Sequence, residues 1–265
     1  MSTPDPNPLP PELLAHPALW RARDHASAGR IKGADSLPTG YAELDARLPG
    51  GGWPRRGLVE ILTDRPGIGE LSLLLPALAA LCRAEGEAGG WLAWIAPPYA
   101  PYAPALAARG IDLRRVLVVR ASNPEWAIEQ SLASGACSAV LGWTDGGPAN
   151  GLAGGLAGGL ARGLARGLDR RLRRLQLAAE HDGTLAVLFR PLAAAASASP
   201  AVLRLALGLP VPGSTHAPAG AHSLEVRILK SRGGPPATLR LELPSPDSDT
   251  PIGADAGADA DTLAR

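Results

Sequence analysis

Residues 64–78, DRPGIGELSLLLPAL, follow a short apolar run at 58–62 and decide how the rest of the chain is interpreted. Small and turn-forming residues lead into an apolar helical pattern, as they do where backbone N–H groups cradle the phosphates of a nucleotide. A working loop of this kind ends in Lys followed by Ser or Thr, but this chain has Glu70 and Leu71. The stretch therefore indicates either a nucleotide enzyme with an unusual loop or the shell of one without its chemistry.

Compared with a working phosphate-binding loop, this loop keeps the glycines of the turn and has acidic or apolar residues in place of the others. Gly67 and Gly69 preserve the turn, whereas Asp64 stands near the position of the first glycine of such loops. A Lys about 4 Å from a phosphate charge contributes roughly 4 kcal/mol at an effective dielectric constant of ~20, so a carboxylate at position 70 opposes a polyphosphate by the same order. Leu71 offers no hydroxyl ligand for magnesium. We expect a degenerate phosphate loop, kept as architecture.

Strand patterns alternate with helical patterns on both sides of the loop. The strand patterns occur at 58–62, 90–96, 116–121, 137–143 and 184–190. This alternation predicts an α/β fold with a mostly parallel sheet and helices on both faces. Two late segments, SLEVRILKSRGG and ATLRLEL, alternate apolar and polar residues and predict a C-terminal β-hairpin. Ligands of such sheets bind outside the carboxyl ends of the strands, where the loop is expected.

The composition divides the 265 residues into a core, two terminal segments and one insertion within the core. We predict an N-terminal helix and linker over 1–30, a core over 31–243 and a disordered acidic tail over 244–265. Residues 144–168 are a low-complexity Gly/Leu/Arg insertion, in which Leu recurs at every fourth position. The tail holds five Asp and one Arg, so the other 25 basic and 20 acidic residues leave a mild positive excess. Such an excess permits nucleic-acid contact without demanding it.

The cysteines, the histidines and the hydropathy pattern indicate the cellular compartment and whether a metal or a membrane is bound. Cys82 and Cys137 lie far apart in apolar surroundings, which is typical of free thiols in a reducing compartment. The histidines and cysteines show no metal-ligand spacing. No signal-peptide pattern is evident, and the longest apolar run is about a dozen residues, short of the ~20 needed to span a bilayer. We expect a cytoplasmic protein with no metal, no cofactor and no membrane contact.

Residues 37–62, LPTGYAELDARLPGGGWPRRGLVEIL, are similar to the opening of the RecA recombinase core. The order of the following elements also resembles RecA, through to VRILKSRGGPP at 226–236. Further blocks resemble more closely the ImuA family, RecA-like accessory proteins of bacterial translesion DNA synthesis. These blocks are GELSLLLPALA, LRRLQLAAE, LAVLFRP, SPAVLRLAL and LKSRGGPP. The resemblance spans roughly residues 13–243 apart from the repeat and tails, and it implies a RecA-like core.

The RecA resemblance also locates two acids that a working ATPase needs. The strand before the catalytic carboxylate corresponds to LAWIA, but PPYAPY follows it without an acid. The strand that should end in a magnesium-associated Asp ends at Gly142 and Trp143, and Asp145 serves instead if that strand runs two residues further. The resemblance therefore implies a pseudo-ATPase that is not an enzyme. An active ATPase with an atypical loop is the alternative.

Basic residues are the candidate contacts to DNA or to a partner. They are Arg162, Arg166, Arg170, Arg171, Arg173, Arg174, Lys230 and Arg232. A basic run on a helix is either a solvated face or a set of phosphate contacts. In RecA the first DNA-contacting loop follows the strand that corresponds to 137–143, and the second corresponds to 191–221. That second region carries almost no charge here, which does not favour a strong DNA loop.

Aromatic and apolar residues give the other candidate contacts. Leu13, Leu14 and Trp20 share the apolar side of the predicted N-terminal helix and are candidate partner anchors. Trp20 and Trp53 lie outside the strand patterns and either anchor a partner or pack internally. Trp91, Trp94 and Trp143 lie on buried-strand patterns, which favours core packing over base stacking. No aromatic platform for nucleic-acid bases is evident from the sequence.

The ImuA resemblance implies a function and partners. It implies a non-catalytic accessory factor that assembles a mutagenesis complex in SOS-induced, error-prone translesion synthesis. The implied partners are an ImuB-type polymerase-like protein, an error-prone replicative-type DNA polymerase and RecA, with weak binding to single-stranded DNA. A cell-division inhibitor of the SulA type, whose fold is also RecA-like, is a further alternative.

Overall fold

The structure is a computed structural model that describes residues 36–84, 90–144, 170–180, 183–210 and 222–244. The predicted N-terminal helix, nearly all of the low-complexity insertion and the acidic tail lie outside these residues. Asp145, the alternative magnesium ligand, also lies outside them.

Ten strands are described, and eight of them form one sheet. The strands are β1 (Ser36–Leu37), β2 (Trp53–Pro54), β3 (Leu58–Thr63), β4 (Trp91–Ile95), β5 (Val116–Val119), β6 (Cys137–Trp143), β7 (Leu185–Pro191), β8 (Leu203–Gly208), β9 (His222–Ser231) and β10 (Ala237–Leu243). The sheet has the order β10-β9-β8-β3-β7-β6-β4-β5, and β1 pairs with β2 in a separate antiparallel ribbon. From β8 to β5 all neighbours are parallel, whereas β9 is antiparallel to both β8 and β10. The predicted α/β fold with a mostly parallel sheet is confirmed.

Five α-helices accompany the sheet within the described residues. They are α1 (Ala42–Asp45), α2 (Glu70–Ala84), α3 (Ala103–Ala108), α4 (Pro124–Ala133) and α5 (170–178). Apolar side chains of α1, α2 and α3 pack with one face of the sheet, and those of α4 and α5 pack with the other. Consecutive β3 residues divide accordingly, with Val59 in the first cluster and Leu58 in the second. This double cover explains why β3 and β6 read as nearly continuous apolar runs.

A proline inside α2 is accommodated by the residues before α1. Pro76 has no N–H to donate to the carbonyl of Ser72, one helical turn earlier. The hydroxyl of Tyr41 donates to that carbonyl instead, at 3.0 Å. Gly40 has φ +87, and a Cβ there would collide with the Pro76 ring. The Thr-Gly-Tyr segment therefore fixes the helix that starts at the phosphate-type loop.

Two sequence predictions about this sheet are wrong. Residues 191–221 were expected to behave as one loop region, but β8 occupies the middle of it and is almost entirely buried between β3 and β9. Trp91 was expected in the core, but 47% of it is exposed at the start of β4. Among the described residues, no helix is long and apolar enough to cross a membrane.

Candidate functional site: a phosphate-type loop closed by its own glutamate

The loop between β3 and α2 has the backbone of an anion-binding turn. Gly67 and Gly69 have φ +89 and +117, values that residues with a Cβ rarely adopt. A Cβ added at Gly69 would lie 2.5 Å from Leu243 Cδ1, whereas one added at Gly67 would meet no atom within 4 Å. Gly69 is therefore required by packing as well as by conformation, and Gly67 by conformation alone.

The Glu70 side chain folds back into this turn. Its Oε1 accepts from the N–H of Gly67 at 2.7 Å, and its Oε2 accepts from the N–H of Ile68 at 3.0 Å. Glu70 is 5% exposed and is the first residue of α2, where a negative charge is also favoured by the helix dipole. The carboxylate thus occupies two backbone N–H groups of the turn.

Two cavities border the loop. One, of about 310 Å³, is lined by residues 67–72 together with Arg109, Leu243 and Pro244. The other, of about 120 Å³, is lined by Asp64, Arg65 and Glu70 together with Trp143 and Phe189. The Trp143 and Phe189 rings stack with centroids 4.4 Å apart and planes at 13°. Ligand pockets usually offer roughly 300–1,000 Å³. The smaller cavity is below this range and the larger lies at its lower end. Glu70 presents a carboxylate to both, and Leu71 offers no magnesium ligand, so the residues present do not fit a magnesium-bound polyphosphate.

The sequence analysis found no acid at the two strand ends where a working ATPase needs one, and the structure shows where these strands end. β4 ends at Ile95 and is followed by Ala96, whose φ is 53, and by Pro97. β6 ends at Trp143, and no carboxylate follows it as far as Thr144, the last described residue before the gap. Leu71 is partly buried, packs against the core and lines the larger of the two cavities.

A buried charge cluster that the sequence analysis missed lies on β3, the strand that leads into the loop, and on the two strands beside it. Glu60 on β3 is fully buried, and its Oε1 and Oε2 accept from Arg190 Nη1 at 3.0 Å and Arg204 Nε at 2.6 Å. The other two guanidinium nitrogens of Arg204, Nη1 and Nη2, donate to the carbonyls of Ser197 and Ala194 at 3.0 and 2.8 Å. The cluster ties β7, β3 and β8 together and fixes the segment after β7. Its signal in the sequence is a single charged residue inside each of three apolar strands.

The described members of the basic cluster are exposed on α5: Arg170, Arg171, Arg173 and Arg174. Two of them pair with acids of α4. Arg171 Nη1 lies 3.4 Å from Glu125 Oε1, and Arg174 Nη2 lies 2.6 Å from Glu129 Oε2. Ion pairs this exposed contribute about 0–1 kcal/mol, so they orient the side chains more than they stabilise the fold.

Lys230 and Arg232 lie at the end of β9. Lys230 Nζ donates to the carbonyl of Ser199 at 2.8 Å, and Arg232 is exposed just beyond β9. Partial burial lowers the pKa of Lys230, and the nearby charges of Arg204 and Arg232 lower it further. Lys230 and Arg232 thus belong to β9 and the turn after it, whereas the four arginines belong to α5, so the predicted basic contacts are divided between two elements.

The remaining candidates are resolved only in part. Trp53 is fully buried, so its interpretation as a partner anchor is wrong and internal packing is correct. Trp94 and Trp143 are buried as predicted. The other candidates lie outside the described residues: Leu13, Leu14, Trp20, Arg162 and Arg166.

Comparisons with known proteins give one partial match. No protein-family model matches the chain. The chain is similar to the cell division inhibitor SulA of Edwardsiella piscicida, with 41% identity over 76 residues. The match covers 28% of this chain and 44% of SulA, so the chain spans less than half the length of that relative.

Proposed function

We propose that this protein is a non-catalytic, RecA-like accessory factor of SOS-induced, error-prone translesion DNA synthesis that assembles a mutagenesis complex. The mostly parallel sheet and the ImuA-like blocks support the RecA-like part of the proposal. The partial similarity to SulA supports the SOS setting. The proposed partners are an ImuB-type polymerase-like protein, an error-prone replicative-type polymerase and RecA.

The Glu70 contacts carry the non-catalytic part of the proposal. A phosphate entering the loop would have to displace a carboxylate that already holds two N–H groups at 2.7 and 3.0 Å. It would also approach the negative charge of Glu70, at roughly 4 kcal/mol per charge pair. Such a loop keeps the fold of a nucleotide-binding protein while its phosphate site is closed from within.

The experiment is co-purification from cells with and without DNA damage. Tagged protein should recover the polymerase-like partner after damage, and deletion of the gene should lower damage-induced mutation frequency. A variant without residues 1–28 should stay folded and recover less RecA or less of its own copies, because the predicted Leu–Trp face would be missing. Recovery of neither polymerase nor polymerase-like protein from damaged cells contradicts the proposal.

The SulA similarity favours a second candidate, a cell-division inhibitor. Expression of the chain in a related bacterium separates the two. Division inhibition predicts elongated cells without septa at unchanged mutation frequency, whereas an accessory factor of translesion synthesis predicts normal cell length.

A further inference from the structure

A cavity of about 190 Å³, here called the amino-edge pocket, opens at the end of the sheet where the parallel strands begin. Leu203, the first residue of β8, and Ser231, the last residue of β9, pair with each other and both line it. The phosphate-type loop follows Thr63, at the other end of β3. No residue that lines the amino-edge pocket also lines either cavity beside the loop. The pocket is therefore separate from the candidate site.

Hydrogen bonds and a close approach hold the walls of this pocket together. Ser36 Oγ donates to the carbonyl of Gly50 at 2.6 Å, which ties β1 to the turn before β2. The N–H of Arg232 donates to the carbonyl of Val202 at 3.0 Å, which ties the turn after β9 to the start of β8. Gly52 is needed in the same turn, because a Cβ there would overlap the backbone of β1. A ligand thus enters a pocket that is already formed, and little ordering opposes binding.

The pocket combines apolar walls with a basic rim. Leu48, Val202 and Leu203 are buried in its walls, whereas Arg56 and Arg232 line it as exposed residues. No Asp or Glu is among the lining residues, and Arg232 forms no ion pair with the residues that the structure describes. Burial and then the charges of Arg204 and Arg232 lower the pKa of Lys230, the next cation along the chain. The rim is therefore positive and favours a carboxylate.

The volume of the pocket sets the size of what enters it. An apolar cavity of about 150 Å³ takes one benzene molecule, whereas drug-sized ligands occupy roughly 300–1,000 Å³. A cavity of about 190 Å³ therefore holds one large apolar side chain, and the group beside that side chain meets the arginines at the rim.

We propose that the amino-edge pocket binds an acidic peptide segment of a partner protein, with one large apolar side chain in the cavity and a neighbouring carboxylate on Arg232. A second copy of the chain suits the pocket less well. Among the described residues, the large exposed apolar side chains have no adjacent acid, or stand beside an acid that an arginine already binds, as Leu113 and Trp126 do. The inference goes beyond the proposed function, because either an accessory factor or a division inhibitor could carry such a pocket.

The test is fluorescence anisotropy of labelled eight-residue peptides with the full chain. The probe carries one Phe between two Glu in a Gly/Ser background, and its matched peptides have Ala for Phe or Gln for both Glu. The probe should saturate below about 1 mM, and the Ala peptide should bind at least about tenfold more weakly because it leaves the cavity unfilled. The Gln peptide should bind about threefold or more weakly and lose the salt dependence of the probe.

Variants of the chain locate the contact. Arg232→Gln should weaken binding of the probe about threefold or more and leave binding of the Gln peptide unchanged, because only the carboxylate contact is lost. Arg227→Gln is the matched control, since Arg227 is an exposed arginine of β9 that does not line the pocket.

Three results overturn the inference: equal affinity for the Phe and Ala peptides, an equal loss in the Arg227→Gln control, or no binding of the probe to the full chain. The last is expected if residues before Ser36 or a second copy already fill the pocket. Binding as described without any recovered polymerase partner would instead contradict the proposed function alone.

Discussion

Glu60 and Glu70 are both buried carboxylates on consecutive elements, and they are held in opposite ways. Glu60 lies inside the sheet and is neutralised by the side chains of Arg190 and Arg204. Glu70 lies at the rim and is held by the backbone N–H groups of the loop. The first contact depends on two distant charged residues, whereas the second depends on a turn that the local sequence forms by itself. We infer that Glu60 serves the fold and that Glu70 serves to close the site.

The largest expected effect comes from breaking the buried cluster. Glu60→Gln removes the buried negative charge that Arg190 and Arg204 share, and removal of one partner of a buried pair costs about 3–5 kcal/mol. Urea unfolding should show this loss in the free energy of unfolding. The control is Glu225→Gln, because its pair with Arg227 is exposed and spans 3.8 Å. A loss in Glu60→Gln no larger than in the control would mean that the cluster does not hold the strands.

Substitution of the two loop glycines tests what holds the turn in its conformation. Gly69→Ala should cost about 2–3 kcal/mol of unfolding free energy, because a strained φ is combined with an overlap onto Leu243. Gly67→Ala has the strain without the overlap and should cost about 1–2 kcal/mol. Thermal melts of the two variants compare them directly. Equal losses would show that contact with β10 does not determine the loop.

Removing the Glu70 carboxylate should have a smaller effect. Glu70→Ala loses two hydrogen bonds to a charged acceptor at a loop that water reaches, so we expect a cost of about 1–2 kcal/mol. Glu70→Gln keeps one acceptor oxygen and should lie between Glu70→Ala and the wild type. Hydrogen exchange of the Gly67 and Ile68 amides measures the same contact and should become faster in Glu70→Ala. Unchanged exchange rates would contradict the closed loop.

The smallest effect is expected at Tyr41. Tyr41→Phe removes the hydroxyl that binds the Ser72 carbonyl, which should cost about 0.5–1.5 kcal/mol at neutral pH. Burial raises the pKa of Tyr41 to about 12, and the charge of Arg109 opposes this shift. Stability from this group is therefore present below its unfolded pKa of about 10 and is lost as pH rises toward 12. The difference between Tyr41→Phe and the wild type should shrink over that range in urea unfolding, and a constant difference would contradict the burial of the hydroxyl.

Local patterns were enough to predict much of this architecture. The apolar runs at 58–62 and 137–143 became buried parallel strands because helices cover both faces. The cluster of Glu60, Arg190 and Arg204 was not predictable, since it depends on β8 and β7 lying on either side of β3. Trp91 was misplaced for the related reason that a strand pattern does not reveal which end of the strand reaches the surface.

The sequence identified the residues of the candidate site, but it did not predict the contacts that their side chains make. The sequence placed Glu70 where a phosphate-binding Lys would be, but the direction of its side chain follows from the positive φ of Gly67 and Gly69. The position of Arg232 beside the amino-edge pocket likewise depends on the turn that follows β9. In both cases the sequence shows which side chain is present, whereas the direction of that side chain depends on the conformation of the neighbouring backbone.

Isothermal titration calorimetry with ATP and magnesium tests the closed loop most directly. The wild type should give no binding heat up to millimolar ATP, because Glu70 holds two loop N–H groups and places a negative charge at the loop. Glu70→Ala in the same titration controls for the fold of the loop and should gain at most weak, millimolar affinity. A micromolar dissociation constant for the wild type, or ATP turnover that Glu70→Ala abolishes, would contradict the account.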